Sequence, residues 1–258
     1  PSLSQSGSGH APPPRSQPVA SLADVLSAKA ARSMKPDPRW YLKLLLSVQV
    51  IDIIGKPNLS FSPEIPAVSG LHVQVLQEQD ISELMEFQDS RCIGRTVVFS
   101  HEEAHARLES GWRCFGARRL GCMAGFVWFA PRALSSPDLH CEFEMDARSV
   151  MITNAFVAPE HRGRNVFPIL MNESFRTLTE LGYKRVYGFV HHGNRSSKKA
   201  LAKHHFQTLG MILSGFVMGV YFFLPFIADD AGICVRFCGS PWLRWREFFR
   251  KRAGRAIG

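Results

Sequence analysis

No two of the six cysteines stand in a CxxC pair. A zinc knuckle or a dithiol redox site needs that spacing, so both are excluded as local motifs. Cys234 and Cys238 are four apart, but no His or Cys cluster accompanies them. With Cys92, Cys114, Cys122 and Cys141 they are expected to be buried, reduced thiols of a cytoplasmic protein, and no metal site is expected. The opening residues are polar and Pro-rich rather than apolar, so no secretory signal is expected there. No internal repeat recurs, so repeat architectures drop out. No RNA-binding motif accompanies the basic residues, and no nucleic-acid partner is expected.

What is present is a chain able to fold on its own core. Of 258 residues, 45% are apolar and 21% charged, which suits one middle-sized domain with extensions, or two small domains. Lys and Arg number 31 against 22 Asp and Glu, a formal net charge of +9. That surplus favours anionic partners such as nucleic acid, lipid headgroups or nucleotide phosphates without choosing among them.

Punctuation residues divide the chain. Residues 1–20 read as a disordered Ser/Gly/Pro tail. Residues 21–70 read as a helical extension and linker: Ser21 can cap a helix to Met34, and Pro57, Pro63 and Pro66 break up its later part. The stretch 40–54 is apolar and fits either a helix or a buried strand. A boundary near Gly70 opens a domain over 71–228, and 229–258 forms a basic amphipathic tail. Within the domain, 71–76 alternates like a strand, and Asp80 and Ser100 precede two short helices. Residues 112–117 and 122–129 form a hairpin. Next come a strand at 150–157, a helix at 165–181 ended by Gly182, a strand at 185–190 and a helix at 196–205. The order describes a mixed α/β arrangement with an antiparallel start and a later β-α-β crossover.

The segment Phe156-Val157-Ala158-Pro159-Glu160-His161-Arg162-Gly163-Arg164-Asn165-Val166 leaves a strand and enters a helix. A turn there gathers backbone N–H groups at the positive end of a helix dipole, which is a site for a pyrophosphate. Arg162 and Arg164 add charge, and Gly163 lets the backbone approach closely.

Here the chain resembles the GNAT superfamily of acyltransferases. That family's signature runs roughly V-x-P-x-x-R-G-x-G-x-G, matched by Val157, Pro159, Arg162 and Gly163. Asn165 and Phe167 stand at the two later glycines. A later N-x-x-A motif is matched at its start by Asn194 and Ser197 and at its end by Phe206. The resemblance implies an α/β fold with a GNAT-like, mostly antiparallel central sheet flanked by helices. It implies an acetyl-CoA or other acyl-CoA co-substrate held by Phe156, Val157, Arg162, Gly163, Arg164, Asn165, Val166, Asn194 and Ser197. It also implies a backbone donor at a strand bulge among Ala155, Phe156 and Val157.

The family's usual base and acid are absent. Thr153 stands where a Glu often falls, and Leu201 where a Tyr often falls. The candidate catalytic residues are therefore His191 or His192, Glu144 and Asn154. The two histidines would equally serve as polar turn residues beside Gly193. Glu142, Glu144 and Asp146 would share one face of a strand, as an acceptor site or as a solvated edge. His204 and His205, with Lys198, Lys199 and Lys203, are expected on a surface face. Asn194 suits a helix cap better than chemistry.

The implied function is acyl transfer to a primary amine of a small molecule, an amino acid or amino sugar. A long-chain N-acyl amino acid synthase and a non-catalytic CoA-binding or membrane-associated interaction module are the alternatives. Residues 209–228 carry no charge and reach the ~20 residues of a membrane helix. A buried final strand explains them equally and suits the fold better. Residues 241–258 combine Trp242, Trp245 and Phe249 on one helical face with many arginines. That pattern suits an anionic membrane surface and a peripheral place on the inner face of the membrane.

Overall fold

The computed structural model describes residues 46–59, 65–66, 68–92, 98–137, 139–217 and 220–238. The strands are β1 (Leu46–Lys56), β2 (Leu71–Leu76), β3 (Arg113–Arg119), β4 (Cys122–Pro131), β5 (Ala133–Ser136), β6 (Cys141–Met145), β7 (Ser149–Val157), β8 (Arg185–His191), β9 (Gln207–Val217), β10 (Val220–Ile227) and β11 (Ile233–Phe237). The helices are α1 (Ile81–Arg91), α2 (His101–Glu109), α3 (Val166–Glu180) and α4 (Arg195–Ala202). Eight strands form one sheet in the order β10-β9-β1-β8-β7-β4-β3-β2, and three form a second, β11-β6-β5. Every pair in the large sheet is antiparallel except β7 with β8.

Local chemistry accounts for the boundaries. The β3–β4 turn places Leu120 (φ 52°) and Gly121 (φ 85°) in the left-handed region, the backbone twist that a two-residue hairpin requires. Ser100 Oγ accepts from the Glu103 N–H at 3.1 Å and caps α2 as expected. Asp80 does not cap α1 with its side chain. Its carboxylate accepts instead from the Gln77 N–H at 2.8 Å and from Arg118 at 2.9 Å, which pins the start of α1 to β3.

Strand alternation splits the core across the sheet. Val127 and Phe129 of β4 face α3 and pack with Leu170, Phe175 and Leu178. Phe126 and Trp128 face the other way, against Ile81, Leu84 and Phe87 of α1 and Ala104 of α2. On that same side, Ile51, Ile53, Met151 and Tyr187 meet Leu134, Cys141 and Phe143 of the small sheet. Each such buried apolar side chain contributes about 1.5–3 kcal/mol.

Several elements depart from the sequence reading. β1 lies within the segment expected as a helical extension and linker, yet it fills the sheet between β8 and β9. The boundary near Gly70 therefore does not separate it from the sheet. Residues 1–45, which hold the expected tail and N-terminal helix, lie outside the described residues. β11, in the expected basic tail, pairs with β6; residues 239–258, with the expected amphipathic helix, lie outside the described residues. The apolar stretch 209–228 is the β9–β10 hairpin, and among the described residues no helix is long and apolar enough to cross a membrane. Cys122 and Cys234 are exposed, contrary to the expectation of burial.

Candidate active site

β7 and β8 run side by side for four rungs, from Ser149↔Arg185 to Ile152↔Gly188. Beyond that they part. β7 continues along β4 to Val157, and β8 continues along β1 to His191. A cause is visible in the β4 register. Val127↔Ala155 is followed by Phe129↔Ile152, so β7 holds one residue more than β4 at Thr153 and Asn154. An inserted residue bends a strand and increases its local twist. The bulge thus falls just before the expected stretch 155–157, and it opens a fork in the middle of the sheet. The Thr153 hydroxyl is buried at this bulge without a hydrogen-bond partner among the described residues.

At the end of β7 the chain turns through a short 3-10 segment, Pro159–His161, and enters α3. Gly163 (φ 71°) and Asn165 (φ 57°) both adopt left-handed backbone. Glycine takes that conformation freely and asparagine better than most residues, so Asn165 can stand where the family has a glycine. Among the described residues, the amides of Gly163, Arg164, Asn165, Val166 and Phe167 donate to no backbone carbonyl in the turns and caps, and the helical ladder starts with Ile169 N–H to Asn165 O at 3.1 Å. Pro168 in the first turn costs nothing, since its missing N–H would have no partner there. Arg162 folds back: its Nε donates to Val157 O at 3.0 Å, and its guanidinium lies over the Phe156 ring at 5.5 Å. Arg164 is exposed. An Arg91–Glu160 ion pair at 2.9 Å ties the end of α1 to the turn.

Across the fork, β8 ends in the two candidate histidines. Alternation sends His191 to the face of Tyr187 and Phe189, and His192 to the opposite face. There His192 Nδ1 lies 2.9 Å from Asp52 Oδ1, and Lys198 of α4 donates to Asp52 Oδ2 at 2.5 Å. The Asp52 side chain is 3% exposed, whereas His192 is 61% exposed. Burial alone would raise the Asp52 pKa, but the hydrogen bonds from Lys198 and His192 outweigh it and hold the carboxyl below its ordinary value.

At the bulge, Asn154 Oδ1 accepts from Arg107 of α2 at 2.9 Å. Arginine only donates, so this contact leaves the Asn154 amide N–H₂ as the end available to a ligand. Arg107 is held by Glu103 at 2.7 Å and lies over Phe99, Trp112 and Trp128 at 4.7–5.4 Å. Burial lowers its pKa, opposed by Glu103.

The profile of the Acetyltransferase (GNAT) family matches residues 79–206. The chain carries a GNAT domain. No curated protein matches the chain. Similar solved structures include a putative GNAT-family acetyltransferase from Novosphingobium aromaticivorans, 14% identical over 65% of this chain and 63% of that one, with a TM-score of 0.45. Another is yncA, a putative acetyltransferase from Salmonella typhimurium with its cofactor acetyl-CoA, at 15% identity over 63% and 97% and a TM-score of 0.44. A third is the ribosomal-protein-S18-alanine N-acetyltransferase from Escherichia coli, at 12% over 52% and 76% and a TM-score of 0.41.

Within the GNAT domain the predicted site residues sort by what they touch. Arg162, Gly163, Arg164 and Asn165 form the turn. Phe156, Val157 and Val166 have buried side chains that belong to the core, so only their backbone can meet a ligand. Asn194 Oδ1 accepts from the Ser197 N–H at 3.1 Å and caps α4, which occupies that side-chain oxygen and that amide. Glu144 pairs with Arg236 of β11 at 2.7 Å in the small sheet, and Asp146 with Arg185 at 2.7 Å. Leu201 is buried in the core. His204, expected on the surface, is buried in T-shaped contact with the rings of Phe167 and Phe175. Burial, with Lys56, His205 and Lys203 nearby, pushes its pKa down to about 4. Sequence reasoning missed Asp52 and Arg107. Asp52 is a lone carboxylate in the apolar run VQVIDII, a signal that could have been noticed.

Proposed function

We propose that the protein is an acyl-CoA-dependent N-acyltransferase that moves an acyl group, acetyl in the simplest case, onto the primary amine of a small molecule. One observation carries this reading: the parting of β7 and β8 after Ile152 and Gly188, flanked by the turn whose amides at 163–167 lack backbone acceptors among the described residues. The unpaired inner edge of β7 supplies backbone groups for the amides of an extended pantetheine arm, as a sheet edge pairs with a peptide. The turn amides, with Arg162 and Arg164, supply donors and charge for a pyrophosphate.

The chemistry is direct aminolysis. The amine nitrogen attacks the thioester carbonyl, loses a proton, and the C–S bond breaks as CoA leaves with a proton. Charge that develops on the carbonyl oxygen is stabilised by a fixed donor. Two donors stand near the bulge: the backbone of β7 there and the amide N–H₂ of Asn154. A histidine at the end of β8 takes the proton.

A second reading has its own support. Thr153 and Leu201 occupy the positions of the usual base and acid, which suits a domain that binds acyl-CoA without turnover. Incubation with acetyl-CoA or palmitoyl-CoA and a panel of amino acids and amino sugars, followed as free thiol and by mass spectrometry, separates the two. An N-acyl product supports the enzyme and names the acyl chain and acceptor. Saturable binding without product for any amine supports the binding module.

A further inference from the structure

We propose that Asp52, delivered by β1, is the positioning carboxylate of His192, and that His192 Nε2 carries the proton of the transfer reaction. The inference rests on the acyl-transfer reading above and names a residue outside the stretch that the family profile covers, 79–206. Register puts Asp52 opposite Val190 of β8 and Met211 of β9. Its carboxylate sits under the end of β8 with one oxygen on His192 and the other on Lys198. A buried carboxylate at Nδ1 fixes which ring nitrogen bears the resting proton, so Nε2 is left as the basic atom. That atom has no partner among the described residues, and the ring is mostly exposed.

The charges suit the task. Asp52 from β1 and Lys198 from α4 are the ionised groups that meet here; β9 offers the uncharged Met211. Asp52 keeps one oxygen on Lys198 and the other on the ring, so the carboxylate that orients His192 is itself held in place. When the amine attacks, the C–N bond forms, the N–H proton moves to Nε2 and the C–S bond breaks. The same Nε2–H then protonates the departing sulfur. One side chain thereby covers both absences, at Thr153 and at Leu201.

The test uses the full chain with acetyl-CoA and the amine panel, with turnover read as free thiol against pH and acetyl-CoA affinity read by calorimetry. His192→Gln should lower kcat about 100-fold, the scale of a lost general acid–base group, with affinity unchanged. Asp52→Asn should lower kcat by a similar factor and move the acidic limb of the pH–rate profile downward, since the imidazolium loses its counter-charge. Lys198→Met should move that limb upward, and it keeps the idea testable if Asp52→Asn does not fold. Nitrogen NMR of the His192 ring should show the Nδ1–H tautomer in wild type and a mixture in Asp52→Asn.

A merely structural Asp52 would change stability while both limbs and the tautomer stay put, and that result overturns the proposal. Unchanged kcat in His192→Gln overturns it as well. A wild type that binds no acetyl-CoA overturns the acyl-transfer reading instead; the NMR comparison still decides whether Asp52 positions the ring.

Discussion

The turn at 162–166 and the Asp52 cluster stand at the carboxyl ends of the same two diverging strands, and they are built in opposite ways. The turn is backbone: its donors come from the consecutive residues 163–167, its shape from the left-handed Gly163 and Asn165, and its field from the first turn of α3. The cluster is side chain: Asp52 comes from β1, His192 from the end of β8 and Lys198 from α4, and the first two stand 140 positions apart. A backbone site tolerates exchange of most of its side chains, whereas a side-chain site depends on one register. The turn should therefore govern affinity and the cluster turnover. Variants that crossed those effects would break the comparison.

The largest effect should come from removing β1. A fragment that starts at Gly70 loses the strand between β8 and β9, with Ile51 and Ile53 fully buried and Ile54 nearly so. At about 1.5–3 kcal/mol per side chain, these three approach a typical total stability of roughly 5–15 kcal/mol. The fragment should lack a cooperative thermal transition in calorimetry. A folded fragment with the parent melting temperature would make β1 an ornament, and the cluster with it.

Next comes the pH dependence of stability, set by His204, which packs the end of α4 against α3 and so ties the two regions together. Its folded pKa of about 4 lies below the 6.5 of the unfolded chain. As pH falls, the unfolded state takes the proton first, so stability is lost between about pH 6.5 and pH 4. The loss from pH 7 to pH 5 should be about 2 kcal/mol. Urea midpoints at the two pH values should converge in His204→Phe; an equal pH sensitivity in that variant would place the effect elsewhere.

A smaller effect is expected at the turn itself. Asn165→Ala forces a methyl side chain into left-handed backbone and should cost about 1 kcal/mol, while Asn165→Gly should be neutral or mildly stabilising. Denaturant curves for the pair sharpen the claim that the turn is a matter of backbone shape.

This difference in construction also explains what could be read from the chain. The turn is a run of neighbouring residues, so its motif and the flanking strand and helix are legible in the sequence alone. Ser100 as a cap and the 120–121 hairpin turn are local signals too. β1 is ambiguous in sequence because an apolar run of that length fits helix or strand equally, and only pairing with β8 and β9 decides. The exact place of the bulge, at Thr153 and Asn154, is not legible in sequence because it depends on the register against β4. Asp52 and Arg107 were missed because nothing near them in sequence announces a partner on another element. Glu144 was drawn in by alternation alone, and Arg236, its partner, lies on a strand that was read as tail.

The central claim is that the turn holds the pyrophosphate of an acyl-CoA. Calorimetric titration of acetyl-CoA and palmitoyl-CoA into wild type and an Arg162→Ala/Arg164→Ala double variant tests it most directly. Loss of two charge-assisted contacts, at about 1–1.5 kcal/mol each, should weaken binding roughly 30- to 150-fold, with the fold intact by circular dichroism. Equal affinity in the two proteins, or no binding of either ligand to wild type, would contradict the account.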